Sequence, residues 1–181
     1  MKSTYYILVM ALAIVPLKSY SDTLSGDTKL SCEALLCLSS STRPSECNPA
    51  LQRYFSIHAK KFSKTIQLRR QFLQLCPTGG ASSNDKNFID LRDNVLPTLD
   101  GDCSAASLNQ KIETNFDDGF QMVRINPKLS SSCQALINHS YTNLKPHYTC
   151  SAEFYTSMEW KQGYKVVRGQ KITINKNCWV D

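Results

Sequence analysis

The chain has 181 residues, 41% of them hydrophobic and 20% charged, with a formal net charge of +6. That length suffices for one domain with a real core, and the mild positive charge permits contact with an anionic surface without demanding it. No apolar stretch reaches the length of a membrane-spanning helix, about 20 residues, so a soluble mature protein is expected, with an uncleaved N-terminal anchor as the competing reading. The first element is Tyr5–Val15, an uncharged apolar run after Lys2. Its length and flanks are those of a signal-peptide core. Pro16 closes it, and Ser19-Tyr20-Ser21 supplies small residues for cleavage after Ser21. Residues 1–21 are therefore expected to be a signal peptide and 22–181 a single disulfide-bonded domain, carrying 19 basic and 15 acidic residues. No stable membrane insertion is expected after cleavage.

Asp22 to Leu30 reads as a polar lead-in, after which Ser31 caps a short helix through Cys32–Leu38. Ser39–Pro44 is a loop. Asn48-Pro49 predicts a helix start, with Asn as the cap and Pro at the first helical position, followed by Leu51, Tyr54, Phe55 and His58 at helical spacing. A third helix is expected over about Ala59–Leu75, with Phe62, Ile66, Phe72 or Leu73, and Cys76 as its apolar stripe. Pro77-Thr78-Gly79-Gly80 ends it. Helices are then expected over Asn87–Leu96, Ser104–Glu113 and Ser131–His139, with a strand over Gly119–Ile125. Tyr164–Val167 and Lys171–Ile174 flank Arg168-Gly169-Gln170 as a hairpin. The expected fold class is α+β and mainly helical: a disulfide-stapled N-terminal helical unit, about residues 30–77, and a smaller C-terminal part containing a β-hairpin.

The eight cysteines Cys32, Cys37, Cys47, Cys76, Cys103, Cys133, Cys150 and Cys178 all follow the leader. An even count in an exported chain reads as four disulfides. There is no C-x-x-C and no H-x-x-x-H, so zinc is set aside. Cys32 and Cys37, on one helix and pointing apart, are not expected to pair. If the four early and four late cysteines pair within their groups, the early set is either Cys32–Cys47 with Cys37–Cys76 or Cys32–Cys76 with Cys37–Cys47. The late set keeps all three of its pairings.

One stretch is specific. It runs Ser31-Cys32-Glu33-Ala34-Leu35-Leu36-Cys37-Leu38-Ser39-Ser40, then Arg43-Pro44-Ser45-Glu46-Cys47, then Arg53-Tyr54-Phe55-Ser56-Ile57, then Arg70-Gln71-Phe72-Leu73-Gln74-Leu75-Cys76-Pro77. With the lead-in from Leu24, it resembles the TrbM/KikA/MpfK family of conjugal transfer proteins. The resemblance is firm over about Leu24–Pro77. It implies a periplasmic accessory of a conjugative type IV secretion (mating-pair formation) system, carried on mobile plasmids and binding components of that apparatus. It implies no catalytic residue, cofactor or small-molecule substrate.

The chemistry-bearing residues give no competing signature. His58, His139 and His147 could meet Asp102 or Glu113 and a serine, but no G-x-S-x-G elbow marks a nucleophile. Glu33 could serve as the acid of an exported wall-cleaving enzyme or toxin, the alternative reading, yet no second carboxylate stands near it. No catalytic, metal or cofactor site is assigned. The basic run is more informative: Arg53, Lys60, Lys61, Lys64, Arg69 and Arg70 occur with no acidic residue from Asn48 to Asn84. Together the six are a candidate docking surface for an acidic partner, wall polymer or DNA; Lys60, Lys61 and Lys64 share a helical face, while Arg69 and Arg70 point elsewhere. DNA is least favoured, because no stacking aromatics are interleaved on that face.

Overall fold

The structure is a computed structural model that describes residues 24–79 and 84–181; the leader expected over 1–21 lies outside them. The first helix, α1 (Gly26–Ser39), begins earlier than Cys32. The expected cap, Ser31, lies inside it, fully buried, with Oγ donating to the Thr28 carbonyl at 2.8 Å. The polar lead-in is helical because its side chains face water: Asp27 sits in the first turn, favourable to the helix dipole, and Lys29 reaches Glu33 one turn on at 3.6 Å. Ser31, Ala34, Leu35 and Leu38 form the buried stripe at i, i+3, i+4, i+7.

Helix α2 (Cys47–Ser56) also starts before the expected Asn48-Pro49 cap. A turn at Pro44–Glu46 accepts from the Cys47 and Asn48 amides at 3.0 Å each, which places Pro49 in the first helical turn, where its missing N–H costs nothing. Helix α3 is Phe62–Leu73, shorter than the predicted 59–75, and its buried face matches the predicted stripe only at its end, where Phe72 and Leu73 are buried and Cys76 packs on the core. Phe62 is 51% exposed, whereas Thr65 and Arg69 are buried with Phe72 and Leu73. Two polar residues hold core positions because each finds carbonyl or amide partners there, so apolar spacing alone misphases the helix.

Residues 86–98 form one continuous coil in three pitches: α4 (Lys86–Asp90), a π-helical turn (Leu91–Val95) and a 3-10 turn (Leu96–Thr98). The Asp85 carboxylate caps it, accepting from the Asn87 and Phe88 amides at 2.9 and 3.2 Å. Pro97, expected to stop this helix, lies inside the 3-10 turn and is buried.

The expected helix over Ser104–Glu113 is a single turn, α5 (Ala105–Leu108), capped by Ser104. The chain then enters strand β1 (Ile112–Asp117), which pairs antiparallel with β2 (Phe120–Ile125). Asp118 and Gly119 join them, both at positive φ (46° and 81°). That is the backbone of a two-residue hairpin turn, to which Asp-Gly is suited. Helix α6 (Ser131–Asn138) follows, capped by Ser130. Strands β3 (His147–Tyr148) and β4 (Tyr155–Thr156) come next, β4 pairing with β2 to give the order β1-β2-β4. Helix α7 (Ser157–Gln162) has a reciprocal capping box between Thr156 and Glu159 and ends on Gly163 at φ 79°. The predicted hairpin is β5 (Tyr164–Val167) and β6 (Gln170–Thr173), and β7 (Trp179–Val180) pairs with β3.

Two buried clusters hold these elements. The larger joins Leu35 and Leu38 of α1, Ala50 and Tyr54 of α2, and Phe72 and Leu73 of α3 to Leu91, Leu96, Leu99, Leu136 and Leu144. The helical front thus continues into the second half of the chain. The smaller gathers Ala105, Leu108, Ile125, Cys178 and Trp179. Leu129 packs against both. The disulfides are Cys32–Cys76, Cys37–Cys47, Cys103–Cys133 and Cys150–Cys178. Early cysteines pair with early and late with late. The first bond ties α1 to the end of α3, and the second closes the loop between α1 and α2.

Candidate docking surfaces

The structure separates the six cations singled out from sequence. Arg69 is buried at 6% exposure. Its guanidinium donates to the carbonyls of Ile57 (3.1 Å) and Leu99 and lies over the rings of Tyr54 (4.8 Å) and Phe55 (5.6 Å). It is a core cross-link between α3 and the segments before and after it. Burial pushes the neighbouring Tyr54 phenol well above its ordinary pKa, so it stays protonated and donates to the Leu96 carbonyl. Arg70 donates to the Asp93 carbonyl at 2.6 Å. Arg53 forms a two-bond pair with Asp27 at 3.0 and 2.7 Å and lies over Phe72 at 5.2 Å. That hydrogen-bonded guanidinium holds the Asp27 carboxyl below its usual range. None of these three arginines is a free charge.

Lys60, Lys61 and Lys64 are exposed. Among the described residues none of them pairs with a carboxylate; Lys64 bonds only to Gln67 Oε1, at 2.9 Å. Phe62, next to Lys61 in the chain, has half its surface in water. Two residues before Lys64 on the helix, it points to a different side from that lysine. On the same part of the molecule a groove of ≈ 420 Å³ is lined by Arg53, Ile57, His58, Leu68, Phe72 and Leu75. Sequence spacing found the lysines but not the groove, whose walls come from three helices, with Asp27 of α1, paired to Arg53, also lining it.

A second surface surrounds Leu36, which the outer face of α1 holds 73% exposed. Shallow grooves of ≈ 510 and ≈ 290 Å³ flank it, one walled by Leu35, Phe88 and Tyr141, the other rimmed by Glu33 and Glu46.

Five of the groups considered for catalysis have partners elsewhere, and His147 stands exposed at the start of β3. Asp102 pairs with Arg43 and caps the Ser104 amide at 3.0 Å. Glu113 pairs with Arg124 at 2.8 Å, and Glu33 with Lys29. His58 meets the Ser56 carbonyl at 2.8 Å, and His139 lies 3.6 Å from Asp90. Among the described residues no group of three or more His, Cys, Asp or Glu is placed to hold a metal ion.

A family model, TrbM, matches residues 23–174. The chain belongs to the TrbM family. Membership makes it a protein related to conjugal transfer, with partners expected in the transfer machinery. The match covers the larger buried cluster, Ala105, Leu108 and Ile125 of the smaller one, and all cysteines except Cys178, well past the Leu24–Pro77 stretch that carried the resemblance in sequence. No curated protein and no solved structure matches the chain. Among the described residues of this TrbM-family chain, no helix is long and apolar enough to cross a membrane. Its four disulfides suit an oxidising compartment.

Proposed function

We propose that this TrbM-family chain is a periplasmic accessory of a conjugative type IV secretion system, acting on its components by binding and not by catalysis. Family membership over residues 23–174 carries the reading. The disulfides support export, and the leader expected over residues 1–21 supplies a route.

The docking face in this proposal is centred on Lys60, Lys61 and Lys64, with the exposed Phe62 at its edge and the Arg53–Leu75 groove beside them. Its chemistry fits an acidic protein surface that offers an apolar side chain. The face rests on a frame fixed by Cys32–Cys76 and by the Arg69 cross-link, so little ordering entropy is lost when a partner binds.

In-frame deletion of the gene in the donor, scored as transconjugants per donor, tests the role. The expected result is a large drop, restored in trans by the full chain and not by a copy lacking residues 2–21. Unchanged transfer after deletion overturns the proposal, and rescue by the leaderless copy overturns its periplasmic part.

A further inference from the structure

Strand β1 is the open edge of the sheet β1-β2-β4. All its residues except Glu113 are exposed, among them Ile112 at 45% and Phe116 at 73%. An exposed edge strand with apolar side chains is a template for another strand.

The hairpin fixes which backbone groups are free. Around a two-residue turn the flanking residues, Asp117 and Phe120, form a hydrogen-bonded pair. By alternation Glu113, Asn115 and Asp117 turn their amides and carbonyls toward β2, while Ile112, Thr114 and Phe116 turn theirs outward. Two contacts agree with this phase: the Lys111 carbonyl accepts from Asn126 at 2.9 Å on the β2 side, and the Phe116 amide donates instead to its neighbour Asn115 Oδ1 at 2.8 Å.

We propose that β1 pairs antiparallel with β1 of a second copy of this chain, on a two-fold axis through Thr114, extending the sheet to six strands. The register follows from charge. Centring the axis on Glu113 sets Glu113 against itself, and centring it on Asn115 sets Glu113 against Asp117, both like-charge oppositions that destabilise a pair. Centring it on Thr114 removes both. Lys111 then faces Asp117 of the other copy, twice by symmetry. Ile112 faces Phe116, also twice and on one face of the sheet, so two exposed apolar side chains cover each other. Thr114 faces Thr114. The charges are complementary in this register and opposed in its two neighbours. Docking displaces Asn115 Oδ1 from the Phe116 amide, and the Ile112 carbonyl of the other copy takes its place.

Sedimentation equilibrium of the purified, disulfide-bonded protein over a range of concentrations is the test, with circular dichroism as the folding control. The wild type is expected to show a concentration-dependent dimer. Thr114→Pro removes an outward amide and no bond to β2, a placement that edge strands tolerate, and is expected to be monomeric. Lys111→Glu and Asp117→Lys singly weaken the dimer about tenfold, from two lost attractions and two new repulsions; together they restore it. A monomeric wild type, a Thr114→Pro variant that dimerises as the wild type does, or a double swap no better than either single change overturns the proposal.

Discussion

The helical core and the outer parts of the two hairpins, away from the buried Val123 and Ile125 of β2, use apolar side chains in opposite ways. In the core, Leu38, Leu73, Leu96 and Leu136 are wholly buried, and even a tyrosine and an arginine are drawn in, each satisfied by backbone carbonyls. In β1–β2 and β5–β6, Phe116, Phe120, Val166 and Ile172 stand in water. A hairpin is held by its own ladder and turn and does not need those side chains. The comparison separates what keeps the chain folded from what it can offer to others.

The sharpest way to break this contrast is to release the core's staples. Replacing Cys32 and Cys76 with alanine opens a loop with a sequence separation of 44, which chain entropy puts at about 4 kcal/mol. The same change at Cys37 and Cys47, separated by 10, is worth about 2.7 kcal/mol. Urea unfolding under oxidising conditions reads both, and thiol labelling of the native wild type should find essentially no free thiol among its eight cysteines. Next, Leu73→Ala in the core is expected to cost about 3 kcal/mol, because a fully buried site leaves a cavity. Val166→Ala in the β5–β6 hairpin should stay within about 0.5 kcal/mol in the same denaturation assay.

Asp93 gives a smaller, pH-dependent effect. The hydrogen-bonded Arg92 guanidinium, at 2.7 and 2.8 Å, holds its carboxyl below the usual range against partial burial, with Gln74 assisting at 3.2 Å. A folded pKa below the unfolded one gives stability that is present above about pH 4 and lost as pH falls through the lowered value. Asp93→Asn should therefore cost about 1 kcal/mol at pH 7, with the difference from wild type closing in acid. Unfolding curves from pH 7 to pH 2 check it. A constant difference across that range would mean that packing, not charge, is what Asp93 supplies.

Much of the fold was legible because its signals are local. The periodicity of α6, the turn at Arg168-Gly169 and the cysteine count all lie within short windows of sequence. What was missed depended on distant partners or on cues left unused. Thr65 and Arg69 look like a solvent face until Ala59, Ile57 and Leu99 supply amide and carbonyl partners. The expected helix over Ser104–Glu113 takes in the first two residues of β1 and the rest of that strand has no expected element, although Asp118-Gly119 announces a hairpin; α7 has none either, although Thr156 and Glu159 spell a capping box. For the candidate site, spacing located Lys60, Lys61 and Lys64, but Arg53, Arg69 and Arg70 were no less cationic in sequence. Only tertiary pairing distinguishes a structural arginine from a free one.

The most direct test of the account is transfer frequency from a deleted donor complemented with a chain carrying Lys60→Glu, Lys61→Glu and Lys64→Glu. All three side chains are exposed and outside every ion pair found among the described residues, so the variant should fold and accumulate like the wild type. The account predicts that the wild-type chain restores transconjugants per donor and the variant, present at equal level, does not. Full restoration by the variant would contradict a docking role for this face.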